Sequence, residues 1–105
     1  MKLWIRAFCP GLALGLLTAT CFAADQKPQE AYKANCAGCH GPSGRASKLG
    51  KSLGAKNFRD PAVMKTPSSV LAKVIAKGQN QMPPFEGTLT PKEISDLAKY
   101  IKEMK

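Results

Sequence analysis

The sequence predicts an all-α domain of about four short helices joined by loops. Three observations carry this. Apolar residues recur at three- and four-residue steps near the C-terminus, Thr-Pro and Asp-Pro pairs mark helix starts, and no run alternates apolar with polar residues as a half-buried strand would. There is no internal repeat and no low-complexity tract.

The first 24 residues read apart from the rest. Lys2 and Arg6 form a short basic region, and Cys9 to Phe22 is mostly Leu, Ala, Gly and Thr. That run is short for a membrane span and ends in Cys21-Phe22-Ala23-Ala24 as the chain turns polar at Asp25-Gln26-Lys27, the pattern of a cleavable secretory signal. Residues 1–24 are therefore assigned to a signal peptide and 25–105 to one domain. An uncleaved anchor is the first alternative, since alanine is missing from the minus-three position. A lipid anchor on Cys21 is the second, disfavoured by Thr18-Ala19-Thr20 before it.

Within the domain, Pro28 suits an early helical position, and Ala31, Tyr32 and Asn35 fall on one side of a helix that runs into Cys36. Residues 41–57 hold four glycines and little periodicity, which predicts a wrapped loop. Asp60-Pro61 starts a single turn through Met64, and Thr66-Pro67 opens a helix through Val70, Leu71, Val74 and Ile75 to Gly78. A loop with Met82-Pro83-Pro84-Phe85 follows. The last helix has Thr90 as N-cap, Pro91 at the first position and Glu93 completing a capping box. Its stripe is Ile94, Leu97, Ala98, Ile101 and Met104, and the terminal helices are expected to pack together.

So small a domain has a marginal apolar core and needs another source of stability. Cys9 and Cys21 fall in the signal, leaving Cys36 and Cys39, whose mutual bridge would close too small a loop to constrain the unfolded chain much. A large buried cofactor meets the need better. Two of the 16 basic residues precede residue 25 and all 7 acidic residues lie from residue 25 onward, so the mature chain carries a net +7. The lysines are scattered, with neither the basic run nor the aromatic interleaving of a nucleic-acid surface. Their summed field favours acidic partners or anionic membrane surfaces.

Cys36-Ala37-Gly38-Cys39-His40 is the Cys-x-x-Cys-His pattern of covalent haem attachment. Two intervening residues let both thiols reach the vinyl groups of one porphyrin while the next side chain turns an imidazole onto the iron, with Gly38 supplying backbone freedom. A thioredoxin-like pair would need an α/β scaffold, and a structural zinc site would need a fourth ligand, yet His40 is the only histidine and no further cysteine follows. The single histidine also rules out a bis-histidine iron within one monomer. Methionine is the usual alternative. Met104 lies on a core stripe and Met64 reads as a core filler, whereas Met82 stands in a polar loop stiffened by Pro83 and Pro84. Met82 is thus the preferred sixth ligand, with Met64 its rival and an open position the remaining alternative.

Tyr32 before Cys36, the motif through Gly41, the run Gly78-Gln79-Asn80-Gln81-Met82-Pro83-Pro84-Phe85, and Leu89-Thr90 opening a helix with Leu97-Ala98-Lys99-Tyr100-Ile101 together resemble the small bacterial single-haem class I cytochromes c. The resemblance implies the cytochrome c fold wrapped around one covalently bound haem c, with Cys36 and Cys39 as thioethers and His40 and Met82 as axial ligands. It further implies a carrier, not an enzyme, shuttling single electrons between redox proteins or membrane respiratory complexes; with the signal peptide, the expectation is a periplasmic monomer. By the same resemblance, a backbone carbonyl in residues 45–54 is expected to fix the His40 ring, and Asn80 or Gln81 to donate to the Met82 sulfur. Arg45, Lys48, Lys56, Asn57 and Arg59 are candidates to meet the haem propionates. The rival readings are a peroxidase or gas sensor with an open iron position, and a haem subunit fixed in a larger complex.

Overall fold

The computed structural model describes residues 25–104, so the signal peptide assigned to residues 1–24 lies outside the described residues. Helix α1, Pro28–Asn35, begins where Pro28 presets a helical φ and buries Ala31 and Tyr32. Its last turn passes into α2, Ala37–His40, which ends at Gly41 with φ 81. The chain then wraps to α3, Lys48–Ser52, and α4, Pro61–Met64, before the longer α5, Ser68–Lys77, and α6, Pro91–Glu103.

There are thus six helices among the described residues where about four were expected, and no strand. The two extra ones are single turns. One is the Cys-x-x-Cys-His segment itself. The other, α3, lies inside the expected 41–57 loop, where the Ser47 hydroxyl accepts from Gly50 N at 3.0 Å and caps the turn. Gly50 is buried because α3 rests on α2: a Cβ there would overlap the Cys39 carbonyl oxygen.

The start of α5 also shifts. Pro67 occupies the cap position, without a side-chain cap, while the Thr66 hydroxyl turns back to donate to Ala62 O at 2.7 Å. At α6 the capping box forms in full: Thr90 Oγ1 accepts from Glu93 N at 3.1 Å and Glu93 Oε1 accepts from Thr90 N at 2.8 Å. The apolar stripe of α6 packs on α5 and α1, as expected for terminal helices in contact. Leu97 at its centre is wholly buried, and covering a leucine is worth roughly 2 kcal/mol. Lys102 closes the α4–α5 corner from α6, donating to Met64 O at 2.8 Å and Thr66 O at 2.6 Å.

Candidate functional site

The helical turn α2 collects the motif. His40 N donates to Cys36 O at 2.9 Å and Cys39 N to the same oxygen at 3.2 Å, so one turn presents both thiols and the imidazole. Cys36 is buried and Cys39 partly so, and neither is bonded to another sulfur. Burial pushes the Cys36 thiol up to about 11, which keeps it neutral in the folded chain. Gly38, expected to supply unusual backbone freedom, is helical and faces open space. The conformational demand falls on Gly41 instead, whose positive φ and contact with the Arg45 carbonyl admit no side chain. The Gly41 carbonyl is held by Tyr32 Oη, which donates to it at 2.5 Å.

His40 is positioned by an aromatic the sequence reading passed over. Phe58 stacks on the imidazole with ring centroids 4.7 Å apart, and Tyr32 meets the Phe58 ring edge-on at 6.2 Å. Phe58 is itself fixed from the backbone, its N donating to Gly44 O at 2.9 Å, while the neighbouring Asn57 side chain accepts from Ala46 N at 2.7 Å. Burial holds the imidazole below its usual range, so it is the neutral form that a metal ligand requires. The Lys56 carbonyl faces the ring and works the other way. That carbonyl lies just beyond the expected 45–54 stretch, and His40 Nδ1 is buried without an acceptor in bonding geometry.

Met82 ends a tight turn. Gln79 and Met82 exchange backbone hydrogen bonds at 3.0 and 2.9 Å around Asn80, whose φ is 54. Gly78, also at positive φ, lies so close under Met82, Pro83 and Pro84 that a Cβ would come within 2.6 Å of the Met82 carbonyl oxygen. Prolines 83 and 84 have no N–H to give. The next donors, Phe85 N and Glu86 N, bind the last carbonyls of α5 at Ile75, 3.0 Å, and Ala76, 3.2 Å. Met82 packs against the core cluster that contains Cys36. Met64, read as a core filler, is instead exposed at the end of α4, and Met104 follows α6 with its sulfur over Gly44.

The chemistry of this donor set fits a haem. Among the described residues no three His, Cys, Asp or Glu side chains converge on a metal position, so the protein alone does not complete a zinc-type shell and a porphyrin would have to supply the remaining ligands. The large apolar side chains left 41–57% exposed, Leu49, Leu53, Met64 and Val70, all come from the stretch between His40 and Met82. An apolar ring is what such a surface lacks. Two surface clefts are lined by none of Cys36, Cys39, His40 and Met82. One, of about 430 Å³, is lined by Ser43, Gly44, Arg45, Asn57 and Arg59, which brings together three of the five residues proposed for carboxylates. The other, of about 410 Å³, lies between Gln29, Pro42 and the end of α6.

Residues 23–101 match the protein family described as cytochrome c oxidase, cbb3-type, subunit III. Cytochrome c6 of Limnospira maxima is 35% identical over 77 residues, 67% of this chain and 81% of that protein. Cytochrome c-550 of Bacillus subtilis is 32% identical over 82 residues, 78% of this chain and 61% of that protein. The solved structure of the KustC0563 c-type cytochrome matches with a TM-score of 0.71 at 32% identity, covering 76% of this chain and 99% of that one.

Proposed function

Since the chain belongs to the cytochrome c family, we propose that it is exported to the periplasm and passes single electrons between redox partners, with Cys36 and Cys39 as haem thioethers and His40 and Met82 as axial ligands. The coarser part is established by kinship: the chain carries covalently bound haem c and is an electron carrier. The observation that supports the finer part is the single turn offering two thiols and one neutral imidazole, beside a core against which only one loop methionine is held by turn and proline.

Bound there, haem supplies a reversible one-electron change between ferrous and ferric iron. The chain's residues determine how readily it happens. Phe58 fixes the His40 ring, and the Gln79–Met82 turn with Pro83 and Pro84 limits how far the thioether moves between redox states. Leu49, Leu53 and Val70, exposed and apolar, would line the haem and keep water from it. A thioether ligand and burial both favour the ferrous state and so raise the potential. Arg45, Asn57 and Arg59 would meet the carboxylates at the ring edge.

The stretch of chain around the motif is basic without relief. Residues 31–59 contain Lys33, Arg45, Lys48, Lys51, Lys56 and Arg59 and no acidic residue, whereas Lys77 and Lys92 elsewhere are paired with Glu86 and Asp96. That charge steers an acidic partner toward the haem-bearing turn.

The test is the oxidised absorption spectrum around the weak methionine–iron charge-transfer band. The band should be present in the parent, lost in Met82→Ala and kept in Met64→Ala. A parent without it would instead favour an open iron position and the sensor or peroxidase readings. A second reading, a haem subunit held in a membrane complex, is favoured by the match to an oxidase subunit family. No helix among the described residues is long and apolar enough to cross a membrane. Co-purification with a membrane complex through high-salt washing would select that reading.

A further inference from the structure

Glu93 is the one charged residue buried among the described residues, 7% exposed, covered by adjoining chain at a shallow site. Its two oxygens have different partners. Oε1 accepts from Thr90 N at 2.8 Å, a bond local to the α6 cap, while Oε2 accepts at 2.8 Å from Gln26 N, 67 residues away in sequence. The second bond fastens the start of the domain onto α6. These amide donors hold the carboxyl below its ordinary range, so it is anionic at neutral pH.

A covered carboxylate gains from a nearby cation, because solvent compensates its charge poorly. Glu93 has none. The ion pairs among the described residues are Lys77 with Glu86 and Lys92 with Asp96, so the adjacent Lys92 is engaged elsewhere. The remaining charge beside it is of the same sign: the Asp25 carboxylate, which accepts from Thr90 Oγ1 at 3.5 Å. Two carboxylates therefore share the mouth of α6, where Lys92 is bonded to Asp96 and acts on Asp25 through its field, leaving Glu93 without a positive partner of its own.

We propose that leader removal supplies that partner: hydrolysis after Ala24 leaves an α-ammonium on Asp25 that pairs with Glu93, so processing also locks the new N-terminus onto α6. The inference rests on the export reading above. Water adds across the Ala24–Asp25 peptide bond, leaving a carboxylate on the leader and, after protonation, an ammonium on the domain. Successive backbone nitrogens lie within about 3.7 Å of each other, so the Asp25 nitrogen stands within about 6.5 Å of Glu93 Oε2 before any rotation brings it closer. In the unprocessed chain the same atom is an uncharged amide. The lock also steadies α1, whose other end runs into Cys36.

The experiment uses the full chain, produced in a host that exports and matures such proteins, with the mature mass and visible spectrum recorded first. A limiting amine-acylating reagent at neutral pH then reports the α-amine, which ordinarily titrates near pH 8 while lysines titrate near 10. In the parent, α-acylation should be about tenfold slower than in a variant with Gly-Ser inserted between Ala24 and Asp25, the fall in free amine that one pKa unit produces. Glu93→Gln, which retains a capping residue at that position, should speed the parent reaction similarly. Equal rates in the parent and the insertion variant on a haem-loaded chain beginning at Asp25 overturn the pairing alone. A mature chain beginning elsewhere overturns the processing premise and the proposal with it, whatever the spectrum shows.

Discussion

Replacing Gly50 with alanine sets two effects of opposite sign against each other, and the structure decides between them. In an open helix the change should stabilise by up to about 1 kcal/mol, because alanine is the better helix former. At Gly50 the new Cβ would overlap the Cys39 carbonyl oxygen and stand 2.7 Å from its carbon and 3.2 Å from the Cys39 Cα. Those are backbone atoms, which cannot swing aside as a side-chain tip would. Relief requires α3 to lift from α2, straining the bonds that join them: Ser47 N to Cys39 O at 2.9 Å and Ser47 Oγ to Gly38 O at 2.8 Å. Overpacking costs about 1–3 kcal/mol and each weakened neutral hydrogen bond about 1 kcal/mol, so the net loss is about 1–3 kcal/mol. For a domain of this size that lowers Tm by about 5–20 °C. Thermal unfolding of the haem-loaded protein followed by circular dichroism reads it directly. Gly87→Ala is the matched control, since nothing lies within 4 Å of a Cβ there. A Gly50→Ala protein as stable as the parent, or more so, would refute the close approach of α3 to α2.

Three further outcomes are expected. Leu97→Ala removes the largest wholly buried side chain and should cost about 2–5 kcal/mol in a urea titration, with the spread set by how far α5 and α6 close the gap. Burial pushes the Tyr32 phenol up to about 12. The unfolded chain ionises near pH 10 while the folded one stays neutral, so stability should be level below pH 10 and fall from there toward 12, and Tyr32→Phe should remove that alkaline limb as read by unfolding midpoints. Finally, Lys48→Gln with Lys51→Gln should slow electron exchange with an acidic partner at low ionic strength and flatten its salt dependence, leaving the spectrum unchanged; stopped-flow rates at several salt concentrations check this.

What was legible in the sequence is what is encoded locally. Thr90, Pro91 and Glu93 specify the start of α6 within four residues, and the structure reproduces the box atom for atom. Pro28 and the Asp60-Pro61 pair likewise mark α1 and α4, with Asp60 Oδ1 accepting from Ala62 N at 3.0 Å. Helix α3 was hidden because its reasons are tertiary: glycine at position 50 reads as a breaker along the chain, yet it is what lets one turn lie against another. Phe58 was missed for the same cause. Its only signal was an aromatic among Asn57, Arg59 and Asp60 in an otherwise polar stretch, and nothing local ties it to an imidazole 18 positions earlier. The carbonyl facing His40 was sought a few residues too early, since a wrapped loop has no period from which to count. Met64 illustrates the converse, an apolar residue whose type suited a core and whose position left it outside one.

The seam between α5 and the methionine loop bears on cooperativity. A helix ends with carbonyls that ordinarily turn to water, but Ile75 and Ala76 give theirs to amides beyond two prolines. Helix and loop therefore form a single opening unit rather than a rigid rod with a loose strap. Amide hydrogen exchange at Phe85 and Glu86 should follow the protection of the final turn of α5, because releasing the strap frays the rod and fraying the rod releases the strap. Any event that draws Met82 off the core must then melt part of a helix, and this couples the position of its sulfur to the local stability of its scaffold.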